Sequence, residues 1–385
     1  MDIYGNEGTG GAGAGPRTFG VEEELLLVDP ATGEAVPMAG ALLDLYVRPL
    51  AANAGPVLTA EFQQEMIEVV TPPHSTMAGL KADIIAGRTI ARQAAEDIGV
   101  RVAALGTSPL PADPHPVQLR RFKAMAEEYA LTAREQLTCG CHIHVSVESP
   151  EEAVGVLDRT RIWLPVLIAL SANSPFWHGS DSGYASYRSQ VWNRWPSAGP
   201  LEVLRTPDAY HQLIHDMVST GVVLDEGMIY FDARLSRHYP TVEVRIADVC
   251  LRPENTVLLA GIVRGLVETA ARELRAGTEP PPVPVALLRL AGWKASRWGL
   301  RAELLDPVTG RPSPALGVVN SLLNHIREAL QDLGDLDHVE SLVDELLGTG
   351  TGAVRQLEVL HRTGNLEDVV ADAANCTVAA TQRGW

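Results

Sequence analysis

Two glutamates one residue apart, Glu22 and Glu24 in Thr18-Phe19-Gly20-Val21-Glu22-Glu23-Glu24-Leu25-Leu26-Leu27-Val28-Asp29, form the first chemically loaded stretch of the chain. Side chains of a strand alternate between faces, so both carboxylates point one way. Phe19, Val21, Leu25 and Leu27 share the other face, with Glu23 as its odd member. Adjacent like charges repel unless a cation compensates them, and a hard divalent ion such as Mg²⁺ or Mn²⁺ prefers carboxylate oxygens. A solvated acidic strand edge is the plainer alternative, and partners elsewhere in the chain must decide.

Several stretches offer such partners. Glu68 lies on the β-branched run that stops at Thr71-Pro72-Pro73, where a lone buried carboxylate is costly, so it should face a cation or water. Glu61, seven residues earlier, falls on the opposite face of an unbroken strand, and a bulge or helical turn realigns it; the sequence leaves this open. In Thr138-Cys139-Gly140-Cys141-His142-Ile143-His144-Val145-Ser146, alternation separates Cys139 and Cys141 from His142 and His144. The four cannot converge on one zinc ion, so the cysteines read as small core residues and the histidines as a polar face. Arg188 and Arg194 sit in an aromatic, Gly- and Pro-punctuated loop from Asn173 to Pro196 and carry planar forks suited to carboxylate or phosphate. In Tyr239-Pro240-Thr241-Val242-Glu243-Val244-Arg245-Ile246-Ala247, the residues Thr241, Glu243, Arg245 and Ala247 face one way. Local ion pairing is the alternative for each arginine.

The elements between these strands read as scaffold. Ser75 or Thr76 starts a helix to about Ile98, Val100–Leu105 reads as a short strand, and Arg120–Gln136 as a charged helix. Ser149, Pro150 and Glu152 start a helix running to about Ala172. A helix spans Pro207 to Thr220, and from Pro253 onward apolar recurrence predicts helices at Pro253–Ala276, Val285–Gly299, Leu316–Leu333 and Leu336–Leu347. No repeat or boundary separates two cores, so residues 17–385 are expected to form a single α+β domain after a Gly/Ala-rich flexible tail over residues 1–16.

The chain has 385 residues, 46% of them hydrophobic, enough for a large core, and its net charge of -17 argues against nucleic acid or anionic membrane as a partner. Small molecules fit better. The apolar run Trp163–Ala172 is too short for a membrane span. Four cysteines without an export signal suggest reduced thiols and a cytoplasmic location.

Taken together, five motifs resemble the carboxylate-amine ligases of the glutamate-cysteine ligase type 2 family, the bacterial YbdK-like group. They are Phe19-Gly20-Val21-Glu22-Glu23-Glu24, Glu68-Val69-Val70-Thr71-Pro72, Gly140-Cys141-His142-Ile143-His144-Val145, Asn173-Ser174-Pro175-Phe176-Trp177 with Arg188, and Tyr239-Pro240-Thr241-Val242-Glu243-Val244-Arg245. The resemblance implies a curved antiparallel sheet like that of glutamine synthetase, flanked by helices, with ATP and Mg²⁺ or Mn²⁺ on its concave face. It places Glu22, Glu24, Glu68, His142 and Glu243 as metal ligands and Arg245 at the phosphoryl group in transfer. Arg188, Arg194, His144 and Glu61 are left for substrate or phosphate; His144 departs from the pattern, standing where an Asn-like residue occurs in better-studied ligases.

The chemistry implied is amide formation through an acyl phosphate, with glutamate as acid and cysteine or another amine as acceptor. Acid and amine are small molecules, and a homo-oligomer is compatible with the reading. Two alternatives use the same residues: a metal-dependent amide hydrolase, distinguished by turnover without ATP, and a non-catalytic metal- or amino-acid-binding protein.

Overall fold

The computed structural model describes residues 15–46 and 55–378, so most of the 1–16 segment lies outside the described residues. The centre is an open, wholly antiparallel seven-stranded sheet. Its strands are β1 (Phe19–Val28), β2 (Val57–Ala60), β3 (Met66–Val70), β4 (Arg101–Ala103), β5 (Gly140–Ser146), β6 (Ala233–Leu235) and β7 (Thr241–Asp248). The order is β2-β3-β1-β5-β7-β6, and β4 pairs with the far end of β1. With helices packed against it, the fold is α+β, as expected.

Alternation along β1, β5 and β7 sorts side chains as the sequence indicates. Phe19, Val21, Cys141, Ile143, Val145, Val242 and Val244 are buried on one face. That face meets helix Pro253–Arg275, which packs in turn on helices Met77–Glu96, Pro150–Thr160 and Ala315–Leu333. Glu23 points into this core and survives there because Arg88 grips it with two bonds of 2.9 and 2.6 Å while Thr256 donates a third. Cys139 and Cys141 are free and buried, and burial pushes both thiols well above their ordinary range.

Some boundaries differ from expectation for local reasons. The Leu58–Thr71 stretch is a hairpin, β2 and β3, with Glu61 in the connection. The 150–172 helix divides into Pro150–Thr160 and Leu164–Ser171, because Pro165 cannot continue a helix begun upstream. The charged helix breaks at Ala130, whose φ of 49° is left-handed, giving Arg120–Tyr129 and Leu131–Arg134. β7 carries a bulge: Cys141 faces Ala247 but Ile143 faces Val244. The extra residue turns Ala247 into the core, correcting its assignment to the polar face, and brings Asp248 opposite Gly140 instead. Helices Gly352–Thr363 and Leu366–Val378, not anticipated from the sequence, complete the chain. No helix among the described residues is long and apolar enough to cross a membrane.

Candidate active site

Strand register assembles the polar face. Glu24 sits opposite Glu68, Glu22 opposite His142, and His144 opposite Glu243, so four neighbouring strands each contribute to one row. These residues line a cavity of about 370 Å³ together with Glu61, Arg245, Arg121, Arg234, Tyr230 and Trp192. The β2–β3 connection folds Glu61 over the row, where its Oε2 accepts the Phe62 N–H at 2.7 Å and its carboxylate joins Glu24 and Glu68. That resolves the open question of which way Glu61 faces.

The carboxylates crowd one end. Burial and repulsion from Glu22, Glu61 and Glu24 push Glu68 well above its ordinary value, and burial and Glu24 push Glu61 up to about 7. Glu22 is the contrary case: burial opposes its ionisation, but His142 and His144 hold it well below the usual range. His142 is 1% exposed, and burial followed by the Arg245 charge lowers its pKa. Its Nδ1 lies 3.1 Å from Glu22 Oε2 and 3.5 Å from Arg245 Nη1. The shorter, carboxylate contact puts the proton on Nδ1 and leaves a lone pair on Nε2. Among the described residues that Nε2 has no hydrogen-bond partner, and it lies 3.7 Å from Glu24 Oε1.

A lone pair aimed at carboxylates is unfavourable until a cation stands between them, so the donor set fits a hard divalent ion. Three groups of ligand atoms lie within 4.8 Å of one another: Glu22 with Glu68 and His142, Glu22 with His144 and Glu243, and Glu24 with Glu61 and Glu68. His144 Nδ1 bonds Thr241 at 3.0 Å, and its Nε2 lies 3.3 Å from Glu22 Oε1, off the hydrogen-bond axis. Burial lowers the His144 pKa, but Glu22 and then Glu243 outweigh it and the net shift is upward.

Glu243 has a further attachment. Arg234, beside it on β6, donates Nε at 2.8 Å and Nη2 at 3.2 Å, and Arg245 contacts its other side. Burial resists ionisation, yet the Arg245 and Arg234 charges drive the Glu243 pKa down. Arg234 was not singled out in the sequence; its signal is its place across the Ser236–Pro240 turn from Glu243, where a cross-strand partner falls. Arg121 and Tyr230 carry no comparable signal.

The two arginines expected in a loop separate, Arg188 opening a short helix, Arg188–Trp192, in place of the expected loop. Arg188, only 1% exposed, lies behind Trp192, its guanidinium carbon 5.4 Å from that ring, and its Nη atoms reach the carbonyls of Ile246 and Arg245 at 3.4 Å. It lines an adjoining cleft instead of the main cavity. Its seat depends on Gly140, where a Cβ would stand 2.2 Å from Arg188 Nη2. Asp248 fixes the loop beneath, accepting from Asn173 N at 2.9 Å and from the Ser174 and Ser186 hydroxyls at 2.8 Å each. Arg194 is not brought to either cavity: it pairs with Glu135 at 2.6 Å and lies over Trp177, so local ion pairing prevails there.

Known proteins resemble the chain in sequence and in fold. The model of "Glutamate-cysteine ligase family 2(GCS2)" covers residues 18–372. A relative from Streptomyces avermitilis named "Putative glutamate--cysteine ligase 2-1" is 54% identical over 364 residues, 94% of this chain and 99% of its own length. One from Streptomyces coelicolor, "Putative glutamate--cysteine ligase 2", is 54% identical over 364 residues, 94% of this chain and 100% of its own length. In fold the chain is similar to the glutamate–cysteine ligase of Francisella tularensis in complex with AMP, with TM-score 0.68, 15% identity, and coverage of 95% of this chain and 89% of that one. The bifunctional glutathione synthetase of Pasteurella multocida gives TM-score 0.69 at 15% identity, over 94% of this chain and 52% of that one. The chain therefore belongs to glutamate-cysteine ligase family 2, and with it to the ATP-dependent carboxylate-amine ligases.

Proposed function

We propose that the cavity joins an amino-acid carboxylate, glutamate being the first candidate, to a small amine through an acyl phosphate, with Mg²⁺ or Mn²⁺ bound at the carboxylate end. The observation that carries this is the juxtaposition of four mutually repelling carboxylates and an unpartnered His142 Nε2 with the Arg245 guanidinium, cation-type ligands beside an anion-type ligand. Glu22, Glu24, Glu68, His142 and Glu243 are the residues suited to hold the metal, with Glu61 completing the Glu24–Glu68 group. The bound metal supplies charge neutralisation to the triphosphate and to the phosphoryl group in transfer.

The remaining steps belong to side chains. A carboxylate is a poor electrophile because its oxygen leaves badly, and attack on the ATP γ-phosphorus converts that oxygen into part of a phosphate. Arg245, with its Nε unpartnered and Glu243 holding its Nη1, is preorganised to meet the charge that gathers on the transferring group. Arg234 fixes Glu243 from the other side and keeps the pair in place. The neutral amine then attacks the acyl carbon, the C–O bond to phosphate breaks, the departing phosphate takes up the proton the nitrogen loses, and an amide remains. Trp192, Trp195 and Tyr230 wall the cavity and limit access of water to the acyl phosphate.

The test follows a heavy-oxygen label placed in the substrate carboxylate. An acyl phosphate transfers one labelled oxygen to inorganic phosphate, with ADP as the other product. Label retained entirely in the amide and acid, or release of AMP and pyrophosphate, overturns the mechanism.

A further inference from the structure

The connection that delivers Glu61 to the carboxylate row is under electrostatic pressure. Ligand oxygens of Glu61, Glu24 and Glu68 lie within 4.8 Å of one another, and like charges at that distance repel until a cation joins them. Glu24 and Glu68 sit opposite each other on paired strands, whereas Glu61 lies in the turn between β2 and β3, outside the sheet ladder. Contacts other than strand pairing in the sheet must hold it in.

The segment 115–117 supplies them, pairing with the connection as a short strand would. Val117 N donates to Phe62 O and Gln64 N to His115 O, both at 2.9 Å, and Gln63 faces Pro116 in an antiparallel bridge. The buried Gln63 side chain adds Nε2 bonds to the Ala133 and Gln136 carbonyls at 3.0 and 2.9 Å. Glu65 closes the end of the connection. It is buried, and both its oxygens are taken by one residue: Oε2 accepts from His115 N at 3.0 Å and Oε1 from His115 Nδ1 at 2.6 Å. The His115 ring itself stands half in water, with 55% of its side chain exposed.

A carboxylate removed from water is costly, and an apolar residue in its place would fill the same space without that cost. Neither Glu65 nor His115 lines the main cavity, so neither meets a ligand there. The pair instead fixes the chain four residues from Glu61, where segment 115–117 leads into helix Arg120–Tyr129. That helix brings Phe122 edge-on to Phe62, with ring centroids 5.3 Å apart, at the wall of the same cavity.

We infer that Glu65 and His115 are positioning residues: their clasp holds the β2–β3 connection inward, so that the Glu61 carboxylate stands beside Glu24 and Glu68 for a shared cation. The inference rests on the reading of that group as a cation site. An ion that meets three carboxylates already gathered has less ordering to offset, so loss of the clasp weakens metal binding without removing a ligand.

The test is Mn²⁺ binding to the full chain, read from the electron paramagnetic resonance signal of the free ion, with no turnover involved. His115→Ala is expected to weaken binding about ten-fold, the low end of what loss of a group supporting a metal ligand costs. Glu61→Gln weakens the same binding, and His115→Ala added to it costs little more, because the clasp acts through Glu61. His115→Asn, whose amide N–H stands where Nδ1–H did, keeps most of the parent affinity; His115→Gln, whose N–H falls at the position of Nε2, does not. Unchanged affinity in His115→Ala, losses that add to that of Glu61→Gln, or equal rescue by Asn and Gln overturns the inference. Asn and Gln both keep a polar side chain at this half-exposed position, so their comparison decides the matter if His115→Ala fails to fold. A parent that binds no Mn²⁺ overturns the cation reading of the row and the clasp with it, whereas a parent that binds Mn²⁺ no better than the His115 variants do overturns the clasp alone.

Discussion

At the scale of residues, the polar row is a set of charges out of balance, and its members should respond differently to substitution. Glu68 is pushed up by burial and by Glu22, Glu61 and Glu24, so it contributes repulsion to the metal-free fold. Glu68→Gln is expected to leave metal-free stability unchanged or slightly higher and to remove most of the rise in Tm that Mg²⁺ gives the parent. Thermal melts with and without Mg²⁺ check this; a variant destabilised without metal assigns Glu68 a structural role instead. Asp232, which lines the adjoining cleft, gives a pH test away from those ligands. Burial raises its pKa from 3.8 to about 7, against the opposing charges of Arg289 and Arg188. A carboxyl with a raised folded pKa contributes its stability fully below about pH 4 and loses it as pH rises through about 7. Asp232→Asn lacks that loss. Its advantage over the parent should grow between about pH 4 and pH 8 and reach about 1 to 2 kcal/mol, less than the full shift implies because the cleft admits water. Denaturant melts across that range measure it, and an advantage that shrinks with pH contradicts the assignment.

At the scale of elements, legibility followed regularity. Period-two alternation held along β1 and β5, so Glu22 with Glu24, His142 with His144, and the opposite burial of Glu23, Cys139 and Cys141 were all readable. Alternation failed where the backbone departed from it. The β7 bulge moved Ala247 across the sheet, and the β2–β3 connection delivered Glu61, neither with a Gly or Pro signal at the irregular residue. Arg194 and Arg188 looked alike in sequence, and only three-dimensional neighbours separate them: Glu135 lies beside one, and Gly140 with Trp192 beside the other. Gly140 supplies the element-scale test. Its Cβ position lies 2.2 Å from Arg188 Nη2, and its N–H donates to Glu24, so Gly140→Ala must displace Arg188. Activity is expected to fall ten-fold or more while the protein remains folded by circular dichroism, because misplacement of about 1 Å at a site costs on the order of a hundred-fold in rate. Full activity in Gly140→Ala removes Arg188 from the site.

At the scale of the molecule, one antiparallel sheet presents a charged face and an apolar face, and helix Pro253–Arg275 packs on the apolar side. The sheet and its loaded face were legible because both rest on local patterns. The adjoining cleft was not, since Asp232, Arg188 and Arg289 come from the residue before β6, the start of the short helix Arg188–Trp192 and a distant helix, and only packing unites them. Family membership establishes the ligase class. The most direct measurement is nucleotide consumption by the full chain with ATP, Mg²⁺, glutamate and a panel of amines, omitting each component in turn. ADP and inorganic phosphate should appear in step with amide, with no release when the acid is omitted and strong acceleration by the accepted amine. Amide bonds cleaved without ATP, or AMP and pyrophosphate as products, would contradict the assignment.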